Sequence, residues 1–455
     1  MEKSVWNQAL IEKYNYSGPR YTSYPTALEF NENFNYPTLI QATKTYPTRP
    51  LSLYIHIPFC HKLCYFCGCN KVITRHQEKA DKYLDYLERE IKRQAPHFSA
   101  RQVSQLHWGG GTPTFLLPKQ ITRLMGMLRQ HFHFTDNAEL SIEVDPREIA
   151  LSTIDHLAKE GFNRLSLGVQ DFNKAVQKAV NREQDEAFIS ALLTRAKARG
   201  FRSTNLDMIY GLPLQTKESF AHTLGKVVAL DPARLSIFNY AHMPTLFAAQ
   251  RKINEDDMPK AAEKLAMLQY TIEFLTQSGY QFIGMDHFAK PDDELAQAQR
   301  QGILHRNFQG YTTQQDADLL GLGVSAISQI GHTYSQNQKK LALYYSQIDE
   351  LGHAQWRGVS LNQDDLIRRE VIKKLICNFA LDIKEIEQQF ALTFNDYFSE
   401  DIKLLQCFID DQMVFITPEK ITVTPKGHLL IRNICMCFDI YLRNKARQQQ
   451  FSRVI

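Results

Sequence analysis

Four of the eight cysteines in this 455-residue chain lie within ten residues of one another, between positions 60 and 69. Three of them, Cys60, Cys64 and Cys67, have the spacing C-x3-C-x2-C, and so short a loop can fold three thiolates around one metal centre. Thiolates are soft ligands that suit iron–sulfur clusters, zinc or copper(I). A closed structural zinc site needs a fourth ligand, whereas three thiolates leave one iron of a 4Fe–4S cube free to bind another molecule.

Cys69 is the ambiguous member of this group. It could be a fourth ligand, but in the string Cys-Gly-Cys it lies only two residues from Cys67, which strains the geometry of a cube. We therefore predict that Cys69 acts near a substrate and does not bind the metal. The other four cysteines are predicted to lie in the core, because free cysteine is commonly buried. They are Cys377, Cys407, Cys435 and Cys437.

The composition indicates an ordinary globular protein, with 44% hydrophobic and 22% charged residues. No apolar run reaches the roughly 18–20 residues of a membrane span, and the N-terminus lacks the apolar core of a signal peptide. We therefore expect a cytoplasmic protein without a membrane partner, in which clustered cysteines bind metal or act in catalysis. A net charge of +4 is too small to indicate nucleic acid.

The elements that must hold the cysteine loop are visible as short apolar runs that alternate with amphipathic stretches between residues 51 and 290. The predicted strands are Leu51–Pro58, Gln105–Gly109, Leu140–Val144, Arg164–Val169, Asn205–Tyr210 and Arg234–Asn239. The predicted helices are Ala80–Arg93, Lys119–Gln130, Thr153–Glu160, Asp185–Arg199 and Glu218–Ala229. Repeated β–α units predict parallel strands with helical crossovers, and six units make a partial barrel that is open on one side. A loop that opens such a barrel favours an iron–sulfur cluster over zinc.

Polar or glycine-rich residues follow the predicted strands at the point where each strand ends. They are Cys60, Gly109-Gly-Gly-Thr-Pro113, Glu143 and Asp145, Gln170 and Asp171, Asp207, and Tyr240-Ala-His242. The carboxyl ends of the strands build the active site in α/β barrels, so these residues predict a single large site. Three successive glycines let backbone amides meet a ligand, although they also suit a tight turn. Glu143 and Asp145 could form an acid–base pair, although polar strand ends are also common without a role.

The two ends of the chain differ from the central barrel. Residues 1–48 contain several prolines and little periodicity, and they predict an arm that either packs on the surface or covers the active site. Residues 49–355 form the predicted barrel domain, and residues 356–455 a small, mainly helical, winged-helix-like domain with a hairpin at Met413–Ile416 and Ile421–Thr424. Basic residues near its end could bind DNA, but a charge run is more often a solvated surface. They are Arg443, Lys445, Arg447 and Arg453.

The cysteine loop, with the string Cys-His-Lys-Leu-Cys-Tyr-Phe-Cys-Gly-Cys-Asn, resembles the radical S-adenosylmethionine (SAM) superfamily and, within it, the oxygen-independent coproporphyrinogen III oxidases. The resemblance extends from the arm Tyr21-Thr-Ser-Tyr-Pro-Thr26 to the C-terminus. It implies an α/β fold with a partial (β/α)6 barrel, a 4Fe–4S cluster on Cys60, Cys64 and Cys67, and two SAM molecules. The implied contacts of the first SAM are Tyr54, Gly110, Glu143 and Ile327. Those of the second are Phe66, Gly111, Thr112, Gln170, Arg182, Asp207 and Ala241.

The implied reaction is the oxidative decarboxylation of the ring A and ring B propionates of coproporphyrinogen III to vinyl groups, which gives protoporphyrinogen IX in anaerobic haem biosynthesis. A propionate Cβ–H is too weakly acidic for a side-chain base, so a cofactor performs this step through a 5′-deoxyadenosyl radical. The residues expected to act in catalysis are Cys69, Tyr54, His56 and Glu143, although His56 is as readily structural. The expected substrate contacts are Arg20, Tyr21 and Tyr24. We also expect a flavodoxin or ferredoxin as electron donor, and a monomer.

Two other functions compete with this one. A haem-trafficking protein of the same superfamily would keep the cluster without oxidase activity, but such proteins typically lack the arm at 21–26 and have Phe in place of Cys69. A zinc-dependent DNA-binding protein would use the C-terminal domain, but this hypothesis gives the barrel and the glycine turn at 109–113 no purpose. The sequence therefore favours the oxidase.

Overall fold

The computed structural model of the chain describes residues 6–314 and 317–444. Its strands are β1 (Leu51–Ile57), β2 (Phe59–Cys60), β3 (Val72–Ile73), β4 (Gln102–Gly110), β5 (His133–Val144), β6 (Arg164–Gln170), β7 (Ser203–Tyr210), β8 (Arg234–Asn239), β9 (Gln281–Gly284), β10 (His287–Ala289), β11 (His305–Asn307), β12 (Gly310–Thr312), β13 (Asp318–Leu322), β14 (Ile327–Ile330), β15 (Thr333–Asn337), β16 (Gln355–Ser360), β17 (Ala380–Asp382), β18 (Val414–Ile416) and β19 (Lys420–Val423).

The α-helices are α1 (Gln8–Tyr14), α2 (Tyr36–Ala42), α3 (Glu78–Gln94), α4 (Pro118–His131), α5 (Leu151–Lys159), α6 (Lys174–Ala179), α7 (Glu186–Ala198), α8 (Lys217–Ala229), α9 (Ala261–Gln277), α10 (Glu294–Arg300), α11 (Leu341–Leu351), α12 (Gln363–Asn378), α13 (Ile383–Phe390), α14 (Phe394–Tyr397), α15 (Ser399–Asp410), α16 (Pro425–His428), α17 (Ile431–Met436) and α18 (Ile440–Asn444). No helix in the described ranges is both long enough and apolar enough to cross a membrane.

The described residues form two compact units that interleave along the chain. The barrel unit comprises residues 30–278 and 317–360, and the helical unit comprises residues 6–29, 279–314 and 361–444. The predicted division at residues 48 and 355 follows the order of the chain and stays a prediction.

The strands of the barrel unit run in the order β16-β15-β14-β13-β1-β4-β5-β6-β7-β8. The six predicted strands are confirmed as β1 and β4 to β8, and each pairs in parallel with the next. Strand β1 is buried along almost its whole length, as expected for a parallel strand that is covered on both faces. A seventh parallel strand, β13, pairs with the other edge of β1 and was not predicted.

Helices connect the parallel strands, and the five predicted helices are confirmed as α3, α4, α5, α7 and α8. Polar residues begin two of them. The Asp185 side chain accepts hydrogen bonds from the first amides of α7, and the Thr216 side chain accepts one from the amide of Ser219 in α8. Such caps satisfy amides that have no partner within the helix. The alternation of strand and helix therefore produces the predicted α/β fold with parallel strands and helical crossovers.

The helical unit is mainly α-helical, with β17, β19 and β18 forming a small antiparallel sheet. The predicted hairpin is confirmed as β18 and β19. Val371 and Leu375 of α12 pack in one core with Phe398 and Ile434. The Arg443 side chain donates hydrogen bonds to Asp401 and to the Cys437 carbonyl within this unit. The other basic residues of the DNA-binding interpretation, at 445, 447 and 453, lie outside the described residues.

Three of the four cysteines predicted for the core, Cys377, Cys435 and Cys437, are buried. The prediction for Cys407 was wrong, because this side chain is exposed. Cys407 lies on α15 between Leu405 and Phe408, and these two residues form the buried side of the helix. A helix turns about 100° per residue, so the position between them points toward solvent.

Candidate active site

The loop that carries the four clustered cysteines begins directly after β1 and is closed by a short parallel strand pair. In this cysteine loop, residues 58–73, β2 pairs with β3. The Val72 amide donates to the Pro58 carbonyl at 2.7 Å, and the Thr74 amide donates to the Cys60 carbonyl at 3.0 Å. The chain between Cys60 and β3 is therefore held at both ends on the carboxyl edge of the barrel.

Hydrogen-bond donors surround the sulfurs of Cys60 and Cys64. The Thr112 hydroxyl lies 3.3 Å from Cys60 Sγ. Arg147 Nη2 and Arg182 Nη1 lie 3.2 and 3.3 Å from Cys64 Sγ. Burial raises the pKa of the Cys60 thiol to about 12, despite the Thr112 bond, so a bound cation would be needed to stabilise its thiolate. Donors aimed at sulfur fit thiolates that bind metal.

Cys67 and Cys69 form an unequal pair. A hydrogen bond from the Cys69 thiol lowers the pKa of Cys67 to about 6, against the effect of burial, and the charge of Lys71 acts in the same direction. The same hydrogen bond raises the pKa of Cys69 well above its usual value. Cys67 is half-buried and Cys69 is exposed. The thiol of Cys67 is therefore the more acidic of the two and that of Cys69 the less acidic.

The donor set fits an iron–sulfur cluster by its chemistry. Within residues 6–314 and 317–444, no three His, Cys, Asp or Glu side chains converge closely enough to hold one metal ion. A 4Fe–4S cube requires no such convergence, because each thiolate binds a different iron. Soft sulfur donors with N–H and O–H groups aimed at them are the environment that such a cluster requires.

The glycine turn after β4 is packed against other residues of the site. At Gly110, where φ is +115°, a Cβ atom would lie 2.7 Å from the His56 ring, and at Gly111 it would lie 2.5 Å from the Pro58 carbonyl oxygen. The Gly110 amide donates to Glu143 Oε2 at 3.3 Å. The glycines therefore allow the turn to pack closely against the start of the cysteine loop. They also leave its backbone amides exposed to a ligand.

A Gly111→Ala substitution is expected to lower stability, because the added methyl group would meet the backbone of Pro58 and force the cysteine loop to shift. Overpacking of this kind costs about 1–3 kcal/mol, which thermal unfolding would detect as a lower midpoint. Gly126→Ala in α4 is the matched control, since its Cβ has no neighbour within 4 Å. That change should raise stability by about 0.5–1 kcal/mol through helix propensity. Equal midpoints for the two variants would contradict the prediction.

Tyr54 and His56 extend from β1 toward the same side of the sheet. His56 Nε2 lies 3.1 Å from the Asn70 carbonyl, which can only accept, so this nitrogen carries the proton. His56 Nδ1 then accepts from the Tyr54 hydroxyl at 3.2 Å. Burial lowers the pKa of His56, which keeps the ring neutral. The histidine thus fixes Tyr54 and the end of the cysteine loop in one arrangement.

His107 is a site residue that the sequence analysis missed. On β4 it lies in register between Tyr54 and Ser141. Its ring stacks on Tyr54 with an interplanar angle of 16°, Nδ1 lies 2.6 Å from the Ser141 hydroxyl, and Nε2 lies 3.4 Å from Glu143 Oε1. The alternation of side chains along a strand could have identified it, because His107 lies two residues before Gly109 and therefore faces the same side of the sheet.

Asp207 lies inside the barrel within a hydrogen-bond network of neighbouring strands. The Ser166 hydroxyl donates to Asp207 Oδ2 at 2.9 Å, and Asn205 Nδ2 donates to Asp207 Oδ1 at 2.8 Å. Burial raises the pKa of Asp207 to about 6; the Ser166 hydrogen bond opposes this rise, and the negative charge of Glu143 adds to it. The carboxyl group therefore titrates near neutral pH, which suits a ligand contact.

Asp145 does not form an acid–base pair with Glu143, which corrects one possibility raised by the sequence. Burial opposes its ionisation, but the Arg182 and Arg147 guanidinium groups outweigh burial and hold the pKa of Asp145 well below its usual range. Arg147 binds both carboxylate oxygens, with Nε 2.9 Å from Oδ1 and Nη2 2.6 Å from Oδ2. A carboxylate that stays ionised in this way orients the two arginines beside Cys64.

The remaining predicted SAM contacts lie in the cysteine loop and next to the ends of strands of the barrel unit. Gln250 joins two of them, because its amide Nε2 donates to the carbonyls of Phe66 and Ala241 at 3.1 and 3.2 Å. Gln170 ends β6 with a positive φ of 68°. Ile327 begins β14, where its carbonyl lies close to Gly321, the residue in register with Tyr54. Their roles as ligand contacts stay predictions.

The three predicted substrate contacts belong to the helical unit. Tyr21 and Tyr24 are buried; the Tyr21 hydroxyl donates to Asp439 at 2.9 Å, and the Tyr24 hydroxyl accepts from the Ile440 amide at 3.2 Å. Arg20 forms an ion pair with Asp286, and 38% of its side chain is exposed. Among the three, Arg20 keeps the most accessible side chain, and substrate binding by all three stays a prediction.

Comparison with known proteins extends over nearly the whole chain. Residues 54–227 match the model of the radical SAM superfamily, and residues 361–430 match that of the HemN C-terminal domain. The chain is 68% identical to the oxygen-independent coproporphyrinogen III oxidases of Salmonella typhimurium and Escherichia coli, over 99% of this chain and 98% of each relative. The Pseudomonas aeruginosa protein of the same name is 51% identical over 99% of both chains. The solved structure of coproporphyrinogen III oxidase (HemN) from Escherichia coli, described as a radical SAM enzyme, superimposes with a TM-score of 0.93 at 66% identity over 96% of this chain and 99% of that chain.

Proposed function

The chain belongs to the oxygen-independent coproporphyrinogen III oxidases of the radical SAM superfamily, and we propose that it performs the reaction for which this family is named. The substrate is coproporphyrinogen III, and the propionates of rings A and B each lose a hydrogen atom to a SAM-derived radical, then CO2 and one electron to an acceptor, to become vinyl groups. The observation that carries this proposal is 68% identity to the oxidases over 99% of the chain. The presence of both Cys69 and the arm at 21–26 disfavours the haem-trafficking alternative.

We infer that Cys60, Cys64 and Cys67 hold a 4Fe–4S cluster with one open iron. A cluster held there would supply the electron for reductive cleavage of SAM to methionine and the 5′-deoxyadenosyl radical that would take a hydrogen atom from a propionate Cβ. Thr112, Arg147 and Lys71 support the cysteine loop by donating hydrogen bonds to Cys60 Sγ, Cys64 Sγ and the Cys67 carbonyl. The soft donors at the end of β1 support this placement.

The first SAM is proposed to contact residues of β1, β4, β5 and β14. These are Tyr54, Gly110, Glu143 and Ile327. Glu143 would accept hydrogen bonds from the methionine amino group, and it is oriented by His107 Nε2 and by the Gly110 amide. Neutral His56 holds Tyr54 in place through its hydroxyl. These residues bind and orient the ligand and exclude water from it.

A second SAM is proposed on the side of the barrel formed by later strands. Its contacts would be Phe66, Gly111, Thr112, Gln170, Arg182, Asp207 and Ala241. Asp207 would accept hydrogen bonds from hydroxyl or amino groups of this ligand when it is ionised. The support is the polar interior around Asp207, where the Ser166 and Asn205 side chains already orient the carboxylate.

The reaction also requires an electron donor, because the cluster must be reduced before each SAM cleavage. We propose a flavodoxin or ferredoxin, a monomeric enzyme and a cytoplasmic location. Arg20 is the proposed contact of a substrate carboxylate, since its guanidinium group pairs with a carboxylate already and is partly exposed.

The decisive experiment is anaerobic. The protein is reconstituted with iron and sulfide, reduced, and supplied with SAM and coproporphyrinogen III, while CO2 and protoporphyrinogen IX are measured. Formation of both products, with methionine and 5′-deoxyadenosine, would establish the proposed oxidase. A cluster that forms but never decarboxylates the substrate, in a protein that binds haem tightly, would establish the trafficking alternative. Omitting SAM from a parallel reaction is the control.

The proposed role of Asp207 predicts that SAM affinity rises as pH increases through about 6. Below this pH the carboxyl group of the free protein is protonated and loses acceptor capacity, so binding of the second SAM should weaken by up to about tenfold per pH unit. Equilibrium SAM binding to the cluster-loaded protein would measure this. Asp207→Asn should bind more weakly and lose this step. The same pH dependence in both proteins would contradict the role of Asp207.

A further inference from the structure

Arg147 lies against the cysteine loop, but none of the SAM contacts proposed above involves it. Its side chain is only 4% exposed. Arg147 Nη2 lies 3.2 Å from Cys64 Sγ, Nη1 donates to the Asn181 carbonyl at 3.1 Å, and Nε and Nη2 bind Asp145. The guanidinium group is thus fixed on three sides, and it points one N–H group at a sulfur.

The charged side chains beside Cys64 carry a net positive charge. Arg147 and Arg182 both approach the sulfur and both pair with Asp145. One carboxylate therefore offsets only one of the two guanidinium charges. The side chains of Arg147 and Arg182 are more than nine-tenths buried, so solvent screens the remaining charge poorly.

We propose that Arg147 raises the reduction potential of the cluster by hydrogen bonding to the Cys64 thiolate. Reduction adds one electron from the donor and neither forms nor breaks a bond, so the cluster and its thiolates gain one negative charge. An N–H donor and a buried positive charge stabilise the reduced form more than the oxidised form. Arg147 therefore makes the cluster easier to reduce. The inference rests on the proposed placement of the cluster on Cys60, Cys64 and Cys67.

Arg147 is a positioning residue in this proposal, since it acts on the cluster through Cys64, and its effect is measurable without turnover. The test is a redox titration of the cluster-loaded protein, without SAM or substrate, followed by electron paramagnetic resonance of the reduced cluster. Arg147→Gln should lower the equilibrium constant for reduction at least tenfold, which corresponds to a midpoint about 59 mV more negative. Lys62→Gln is the charge-matched control. Lys62 lies in the same loop but forms a partly exposed ion pair with Glu148. The reduction midpoint of the cluster should therefore be unchanged in Lys62→Gln.

Arg147→Lys separates the hydrogen bond from the charge. A single ammonium group cannot reproduce the fork that binds Asp145 and reaches Cys64, so this variant should also have a lower midpoint. A wild-type midpoint in either Arg147 variant with full iron content would overturn the proposal. Loss of the cluster from both variants would also overturn it, because Arg147 would then serve only to hold the loop. A lower midpoint in a protein that never decarboxylates coproporphyrinogen III would support the inference while refuting the proposed function.

Discussion

A Cys64→Ser variant is expected to lose both the iron–sulfur cluster and the oxidase activity. Serine offers a hard, protonated oxygen in place of a soft thiolate, and two remaining cysteines cannot hold a 4Fe–4S cube. The donors of Arg147 and Arg182, which lie beside Cys64 Sγ, would face a neutral hydroxyl group. Iron content should fall far below about four atoms per chain, the cluster absorbance at about 400 nm should disappear, and protoporphyrinogen IX should be undetectable.

Cys407→Ser is the matched control for this experiment. Cys407 is exposed on α15 in the helical unit, and its sulfur lies 3.6 Å from the Leu404 carbonyl. A serine hydroxyl can donate to the same carbonyl, so iron content and turnover should equal those of the wild type. Full iron content in Cys64→Ser would show that Cys64 is not a cluster ligand.

The barrel was predictable because its strands and helices alternate at regular intervals and each type of element has its own hydrophobic period. Strand β13 was missed for a physical reason. Its sequence, Asp-Leu-Leu-Gly-Leu, lies in a glycine-rich stretch, and it is defined mainly by its pairing with β1, which is far away in the sequence. Local propensity cannot identify a strand whose hydrogen bonds depend on a distant partner.

Within the site, the backbone positions were predictable and the side-chain partners were not. Strand ends placed Glu143 and Asp207 at the correct edge of the sheet, but only tertiary structure shows that His107 contacts Glu143. Arg147 follows Asp145 by two residues and resembles an ordinary surface arginine in the sequence. Its guanidinium group binds the nearby Asp145, but it also reaches Cys64, which belongs to a different βα connection. A long side chain whose contacts lie on other elements leaves no periodic signal.

The glycine turn shows how one sequence feature can serve two purposes. The three glycines predicted a backbone that is open to a ligand. The structure adds that Gly110 and Gly111 have no room for a side chain, because His56 and Pro58 occupy that space. The requirement for glycine therefore comes from the fold of the cysteine loop itself, and ligand binding can use a turn that packing already demands.

Cys69→Ser is expected to keep the cluster and lose turnover. Cys69 is exposed, its thiol donates a hydrogen bond to Cys67, and it lies only two residues from that proposed ligand. With Cys60, Cys64 and Cys67 as the proposed ligands, the cube needs no fourth cysteine. A serine O–H bond is stronger and less acidic than a thiol S–H bond, so serine cannot replace a thiol that handles a proton or hydrogen near the substrate. Loss of such a group typically costs about 10²–10⁴-fold in rate.

The measurement compares iron content, SAM cleavage and product formation in Cys69→Ser and the wild type. We expect equal iron and continued formation of 5′-deoxyadenosine, but little CO2 or protoporphyrinogen IX. Cleavage of SAM without decarboxylation would place Cys69 after radical formation, on the side of the substrate. A parallel loss of iron and of the absorbance at about 400 nm would instead make Cys69 a ligand of the cluster. In that case the hydrogen bond from Cys69 to Cys67 would describe only the metal-free loop, and the open iron on which SAM binding depends would have to arise differently.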